Sequence, residues 1–133
     1  MNKRQVVARV LIGLGSLNVL AGAGLHLSAG YPRLSAVLAA SNLTPLFANA
    51  MRSVFLIVGM AWITIAIVAL IAAFTHTPIR RALVLFCGFA LLAEIPMWVS
   101  LMGWFIGNEM IVVSAVLITM GGFLLPPHRS LSS

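Results

Sequence analysis

Acidic side chains are nearly missing from this chain: its 133 residues include two, against eight Lys and Arg. Charged residues of both signs make up only 8%, where soluble domains carry about 25%. A water-facing globular surface cannot be built from so few charges. Cysteine is as scarce. Cys87 is the only one, so an intramolecular disulfide is excluded. Set in an apolar run, it reads as a small hydrophobe. His26, His76 and His128 are dispersed, and no Cys or acid completes a ligand set near them, so neither a metal nor another cofactor is expected. There is no P-loop or dinucleotide fingerprint, and no nucleophile elbow. The net charge of +6 does not point to nucleic acid. The basic residues sit singly or in pairs between apolar runs, and no basic stripe is interleaved with aromatics.

What is present is apolar: 62% hydrophobic residues and a mean hydropathy of +1.12. Lipid must be the solvent for much of this surface. Four apolar runs stand out, at about 6–27, 46–74, 82–105 and 109–125. A membrane span needs roughly 20 such residues. Helices satisfy their backbone hydrogen bonds internally, and no alternating ten-residue pattern suggests a barrel. We therefore expect an all-α polytopic membrane protein, a single four-transmembrane-helix bundle. The second run is long, so its first two turns should stand at the interface or tilt.

Local signals mark the boundaries. Gly30-Tyr31-Pro32 ends the first helix on this reading. Arg33 to Ser41 is too short to span and reads as a short interfacial helix or packed loop between helices 1 and 2. Thr44-Pro45 has the form of an N-cap with proline at the first helical position. Thr75-His76-Thr77-Pro78 separates the second and third helices. Gly107-Asn108 reads as a tight turn with Asn108 capping the fourth helix. Pro126-Pro127 stops that helix, and 128–133 is a polar tail expected to be disordered. Lys3, Arg4 and Ala21-Gly22-Ala23 have some features of a cleaved signal. However, Arg9 interrupts the run and apolar residues continue to Leu27, so the first helix is read as retained.

An even number of spans puts both termini on one side. That side carries Lys3, Arg4, Arg9, Arg80, Arg81 and Arg129, and the other carries Arg33 and Arg52. The excess favours a multi-pass cell-membrane protein with cytoplasmic termini. Tyr31, Trp104 and Trp98 would then sit toward the outer interface.

Glu94 is the main foothold for chemistry. It lies well inside the third run, where an exposed carboxylate would cost at least ~2.5 kcal/mol. It must face the interior, either paired or protonated. Arg52, at a similar depth counted from the outer ends, is the expected partner, whether as a functional pair or as a lock between two helices. Asn49 shares a helix face with Arg52. Pro96 frees the carbonyl of Leu92 and can kink the helix. His26 lies on the same side and is a candidate for proton transfer. Glu94, Arg52 and His26 are thus the catalytic candidates, and Asn49, Trp62 and Trp98 the candidate ligand-binding residues, with Asn18 another possible interior group. Glu109 reads as structural, complementing the dipole of the fourth helix. Gly13, Gly15, Gly22 and Gly24 give the first helix a small-sided surface for close packing.

The chain resembles small four-helix bacterial membrane proteins of the DoxX-like and DUF4345-like kind. The resemblance rests on Leu11-Ile12-Gly13-Leu14-Gly15, on Tyr31-Pro32, and on Leu43-Thr44-Pro45 leading through Asn49-Ala50-Met51-Arg52 to Gly59. It covers most of the chain and implies the four-helix fold in a bacterial inner membrane, but no single reaction. Glu94 departs from the pattern, where a basic or neutral residue is more usual. The chain is also similar in size and span count to small multidrug transporters. Their membrane carboxylate lies in the first helix, which has no acid here.

Three functions are compatible with these features. The first is a pocket open to the outer leaflet for a lipid or small hydrophobic ligand, built around Glu94 and Arg52. The second is a non-catalytic membrane subunit or scaffold, bound to a partner subunit or to its own copies. The third is a proton-coupled transporter acting as a dimer, which a cation fixed beside Glu94 would disfavour.

Overall fold

The computed structural model describes residues 2–127. The polar tail over 128–133, with His128 and Arg129, lies outside the described residues. The elements are α1 (Lys3–Leu25), a π-helical turn (His26–Gly30), α2 (Tyr31–Ala39), α3 (Pro45–Phe74), α4 (Arg80–Met102) and α5 (Ile106–Leu124). No strand occurs among the described residues. Four helical stretches are long and apolar enough to cross a membrane: Lys3–Ala39, Pro45–Phe74, Arg80–Ser100 and Ile106–Leu124. The protein is a four-helix bundle. Each long helix packs on its neighbours in sequence, and α5 closes the ring against α1. Short connections make those neighbours antiparallel.

Two of the expected boundaries are corrected. The first helix does not end at Gly30-Tyr31-Pro32. The Tyr31 amide donates to the His26 carbonyl, five residues back, so the helix widens by one residue and continues into α2. Proline is tolerated there because it falls in the first turn of α2, where the missing N–H has no α-helical duty. The segment after Gly30 is therefore helical, and it extends α1. The combined 37 residues are about 55 Å long at ~1.5 Å per residue. That exceeds a hydrocarbon core of about 30 Å, so α2 reaches beyond it. The second correction concerns α5. It begins at Ile106, with Phe105 as N-cap. The turn is made at Gly103, whose φ of 74° is the only positive φ among the described residues. Asn108 is buried inside the first turn and donates from Nδ2 back to the Gly103 carbonyl (2.9 Å). Glu109 does lie in that first turn. Thr44 and Pro45 start α3 as expected, though the Thr44 side chain makes no capping bond. The α4 helix runs on past Pro96.

The end that holds the N-terminus is held together by arginines. Arg9 Nε donates to the Ala73 carbonyl at the end of α3 (3.1 Å), and its guanidinium lies 5.4 Å from the Phe74 ring centroid. Arg4 reaches the Phe123 carbonyl near the end of α5 (3.3 Å). Both cations meet helix C-termini, where unpaired carbonyls and the dipole favour positive charge.

The interior is small and the exterior large. Ala8, Ile12, Gly15, Ser16, Val19 and Ala23 form the buried stripe of α1 at helical spacing. On α3 the buried stripe is Gly59, Trp62, Ala66, Ala69 and Ala73, while Leu46, Ile57 and Ile71 face outward. With lipid outside, apolar area gives no preference between faces, and small residues gain by letting backbones approach. A Cβ at Gly15 would lie 2.8 Å from Ile118 Cγ1 and 3.0 Å from the Ser114 carbonyl oxygen. At Gly121 it would lie 2.9 Å from the Ala8 carbonyl oxygen. Gly13 and Gly24 have nothing within 4 Å, so only part of the glycine-rich pattern on α1 serves packing.

Gly121→Val is expected to destabilise the bundle by about 1–3 kcal/mol through overpacking against a backbone carbonyl. Gly13→Ala should be neutral or stabilising by up to ~1 kcal/mol. Unfolding of both variants in mixed micelles checks this. Equal stabilities would mean that α1 and α5 do not meet along this seam.

Candidate functional site

Trp62 is the hinge of the site. Its position on the inner stripe of α3 leaves it only 8% exposed. A buried indole N–H needs an acceptor, and Trp62 Nε1 donates to Glu94 Oε2 on α4 at 2.8 Å. The expected Glu94–Arg52 pair is not formed. Arg52 Nη1 instead donates to Asn49 Oδ1 at 2.9 Å, one turn away on the same helix face. The cause is a difference in overhang. Glu94 lies about 12 Å from the Met102 end of α4, whereas Trp62 lies about 26 Å from the Pro45 end of α3. The first third of α3 therefore projects past α4, taking Asn49 and Arg52 with it.

That overhang packs against the π turn and α2, and His26 is the contact. Its ring stacks on Phe55, with centroids 3.6 Å apart and planes 9° apart. It also tilts against Trp62 at 5.0 Å. His26 Nε2 is 2.9 Å from the Phe55 carbonyl oxygen. A carbonyl only accepts, so Nε2 carries the proton, and Nδ1 of the neutral ring is left as an acceptor. Two glycines make this approach possible. A Cβ at Gly30 would fall 2.9 Å from Phe55 Cζ, and one at Gly59 would fall 2.7 Å from Leu27 Cδ2 and 3.1 Å from His26 Cδ2. π turns inside helices are frequent at functional sites.

Beside this stack lies a cavity of about 820 Å³. Its walls come from α1, the π turn, α2, the overhang of α3, Trp98 of α4 and the start of α5. Val19, Leu25, Phe47, Val54, Phe105 and Ile111 are typical of the lining. The few polar groups include Asn18, His26, Arg33 and Ser114. Asn18 Nδ2 is spent on the Met110 carbonyl (3.0 Å) and Ser114 Oγ (2.9 Å), which tie α1 to α5. Trp98 Nε1 is buried and has no acceptor among the described residues. Arg33 is exposed and is the only charged residue of the lining.

The candidates thus separate. His26, Trp62 and Trp98 line the cavity, whereas Asn49, Arg52 and Glu94 do not. Glu94 stands behind Trp62 and is linked to His26 only through that indole. A general acid–base pair facing one substrate is not assembled, while a walled apolar space is. Among the described residues no group of His, Cys, Asp or Glu is arranged to hold a metal. Phe55 and the π turn escaped the sequence reading, and Arg33 entered it as an outer-side charge and not as a site residue. Isolated glycines in helical runs mark close backbone approach, so Gly30 and Gly59 were the available signal.

Comparison with protein-family models, curated proteins and solved structures finds no match to this chain.

A double-mutant cycle of Trp62→Phe and Glu94→Leu, read by unfolding in micelles, should give a coupling of about 1–3 kcal/mol. The cycle of Arg52→Gln with Glu94→Leu should fall within ~0.5 kcal/mol of additivity. The reverse ranking would restore Arg52 as the partner of Glu94.

Proposed function

We propose that the protein binds a lipid or small hydrophobic molecule in the cavity beside His26 and Trp62. The observation that carries this reading is the cavity itself. Its volume of about 820 Å³ lies in the range of roughly 300–1,000 Å³ typical of small-molecule sites. Such sites combine apolar walls with a few placed polar groups, and that is the character of this lining. Rigid aromatic walls also support binding. Phe55, His26 and Trp62 are locked by stacking and by two hydrogen bonds, so little ordering cost remains to be met on binding.

The setting is proposed with it. The chain is a multi-pass protein of the cell membrane with cytoplasmic termini, so the cavity, at the far end of the bundle, opens toward the outer leaflet. The excess of Lys and Arg at the terminal end supports this orientation.

The test uses Gly22→Leu. Gly22 lines the cavity, and a Cβ there meets only Met110 Cε at 3.7 Å, so a larger side chain fills the space without straining the bundle. Wild-type protein moved from detergent into amphipol and extracted with organic solvent should release about one hydrophobic molecule per chain. Gly22→Leu should release far less at an unchanged melting temperature. Equal release from both proteins, or none from wild type, would sink the proposal.

A further inference from the structure

We infer that the occupant is a single-chain amphiphile with a carboxylate head, a fatty acid, whose head lies at Arg33 and whose chain runs toward Asn18. This inference rests on the binding reading above and adds the ligand class.

Charge is the first argument. Arg33 is the one charged side chain lining the cavity, and it makes no hydrogen bond or ion pair with any described residue. The two acids of the chain are both engaged elsewhere. Glu94 accepts from Trp62, and Glu109 Oε1 accepts from Trp104 Nε1 at 3.2 Å. Neither lines the cavity. Arg52, the other cation of this end, is occupied with Asn49. An anionic head therefore finds a cation without a competing protein carboxylate, and a cationic head meets repulsion. A guanidinium also matches a carboxylate with two parallel hydrogen bonds.

Donors are the second argument. Besides Arg33, the buried indole N–H of Trp98 lacks an acceptor, and the His26 N–H and the Asn18 amide nitrogen are already committed. The accessible donors left on the wall are those of Arg33, which suit a head rich in acceptor oxygens, and the acceptors left are His26 Nδ1 and Asn18 Oδ1.

Shape is the third. Arg33 and Asn18 stand at opposite ends of the lining contributed by the continuous first helix. Fifteen residues at ~1.5 Å each separate them by about 22 Å, the length of a long extended acyl chain. The volume of about 820 Å³ takes one such chain and its head. Two chains on a glycerol backbone need more.

Trp62 and Trp98 line the cavity and report contact with brominated probes by fluorescence quenching. In a Trp104→Tyr background, which keeps a donor for Glu109, the remaining emission comes from these two indoles. Four probes are titrated into protein held in amphipol: dibromostearic acid, dibromostearyl alcohol, a bromoalkyl trimethylammonium and a brominated diacyl phosphatidylglycerol. The acid should bind at least about ten-fold more tightly than the alcohol, the cation more weakly still, and the diacyl lipid should not compete. Arg33→Gln should remove the advantage of the acid and leave the alcohol unchanged. Alcohol binding as tight as acid binding, or an acid preference that survives Arg33→Gln, overturns the assignment of the head. Competition by the diacyl lipid overturns the single chain. Each of these results leaves the binding site standing. Saturable quenching by none of the four removes the site itself.

Discussion

The site depends on one hydrogen bond, from the Trp62 indole to Glu94. In a bundle surrounded by lipid, neither group has water to turn to. Each is costly alone and acceptable together. The bond fixes α3 against α4 at one register. It also sets the plane of the indole, against which His26 leans and which forms part of the cavity wall. A carboxylate in the membrane is a functional candidate by default. Here its contact is with a wall residue, and its effect on the cavity is to hold that residue still.

Space is distributed by side-chain size. The stripes that face inward are Ala, Gly and Ser with a few larger residues, so the end that holds the N-terminus closes tightly around Ala66, Ala69 and Ala73. At the opposite end the regular packing gives way. The α3 helix overhangs α4, the first helix widens through a π turn, and Gly30 and Gly59 draw His26 and Phe55 into face-to-face contact. The cavity lies where these irregularities meet. Local departures from regular packing are common at functional sites, and this end of the bundle holds the π turn, the overhang of α3 and the contacts at Gly30 and Gly59.

Much of the fold was legible. The four apolar runs, the break at Thr75 to Pro78 and the start of α3 after Thr44 all followed from hydropathy and proline position. His26 and Trp62 were legible as candidates for an interior site because polar or amphipathic side chains in an apolar run must find cover, whereas Trp98 reads from the sequence as an aromatic near the outer interface. Arg52 was misplaced as the partner of Glu94 because depth was counted from helix ends assumed to be level. The end of the first helix was misplaced because Gly30-Tyr31-Pro32 carries turn chemistry, which a π turn can accommodate without breaking the helix. The cap of α5 was misplaced because Asn108 reaches back to the Gly103 carbonyl and not to its own helix.

The sequence by itself determined the solvent, the helices and their number. Those follow from backbone hydrogen bonding and apolar length, which are properties of each segment alone. It also determined that an isolated carboxylate in the third span needs a partner. Which partner, which face of each helix turns inward and where the cavity opens were decided only in the tertiary structure. With lipid outside, all faces of a span are apolar, so no amphipathic pattern marks the interior. Side-chain size and helix overhang then choose the contacts, and both act only once the helices stand side by side.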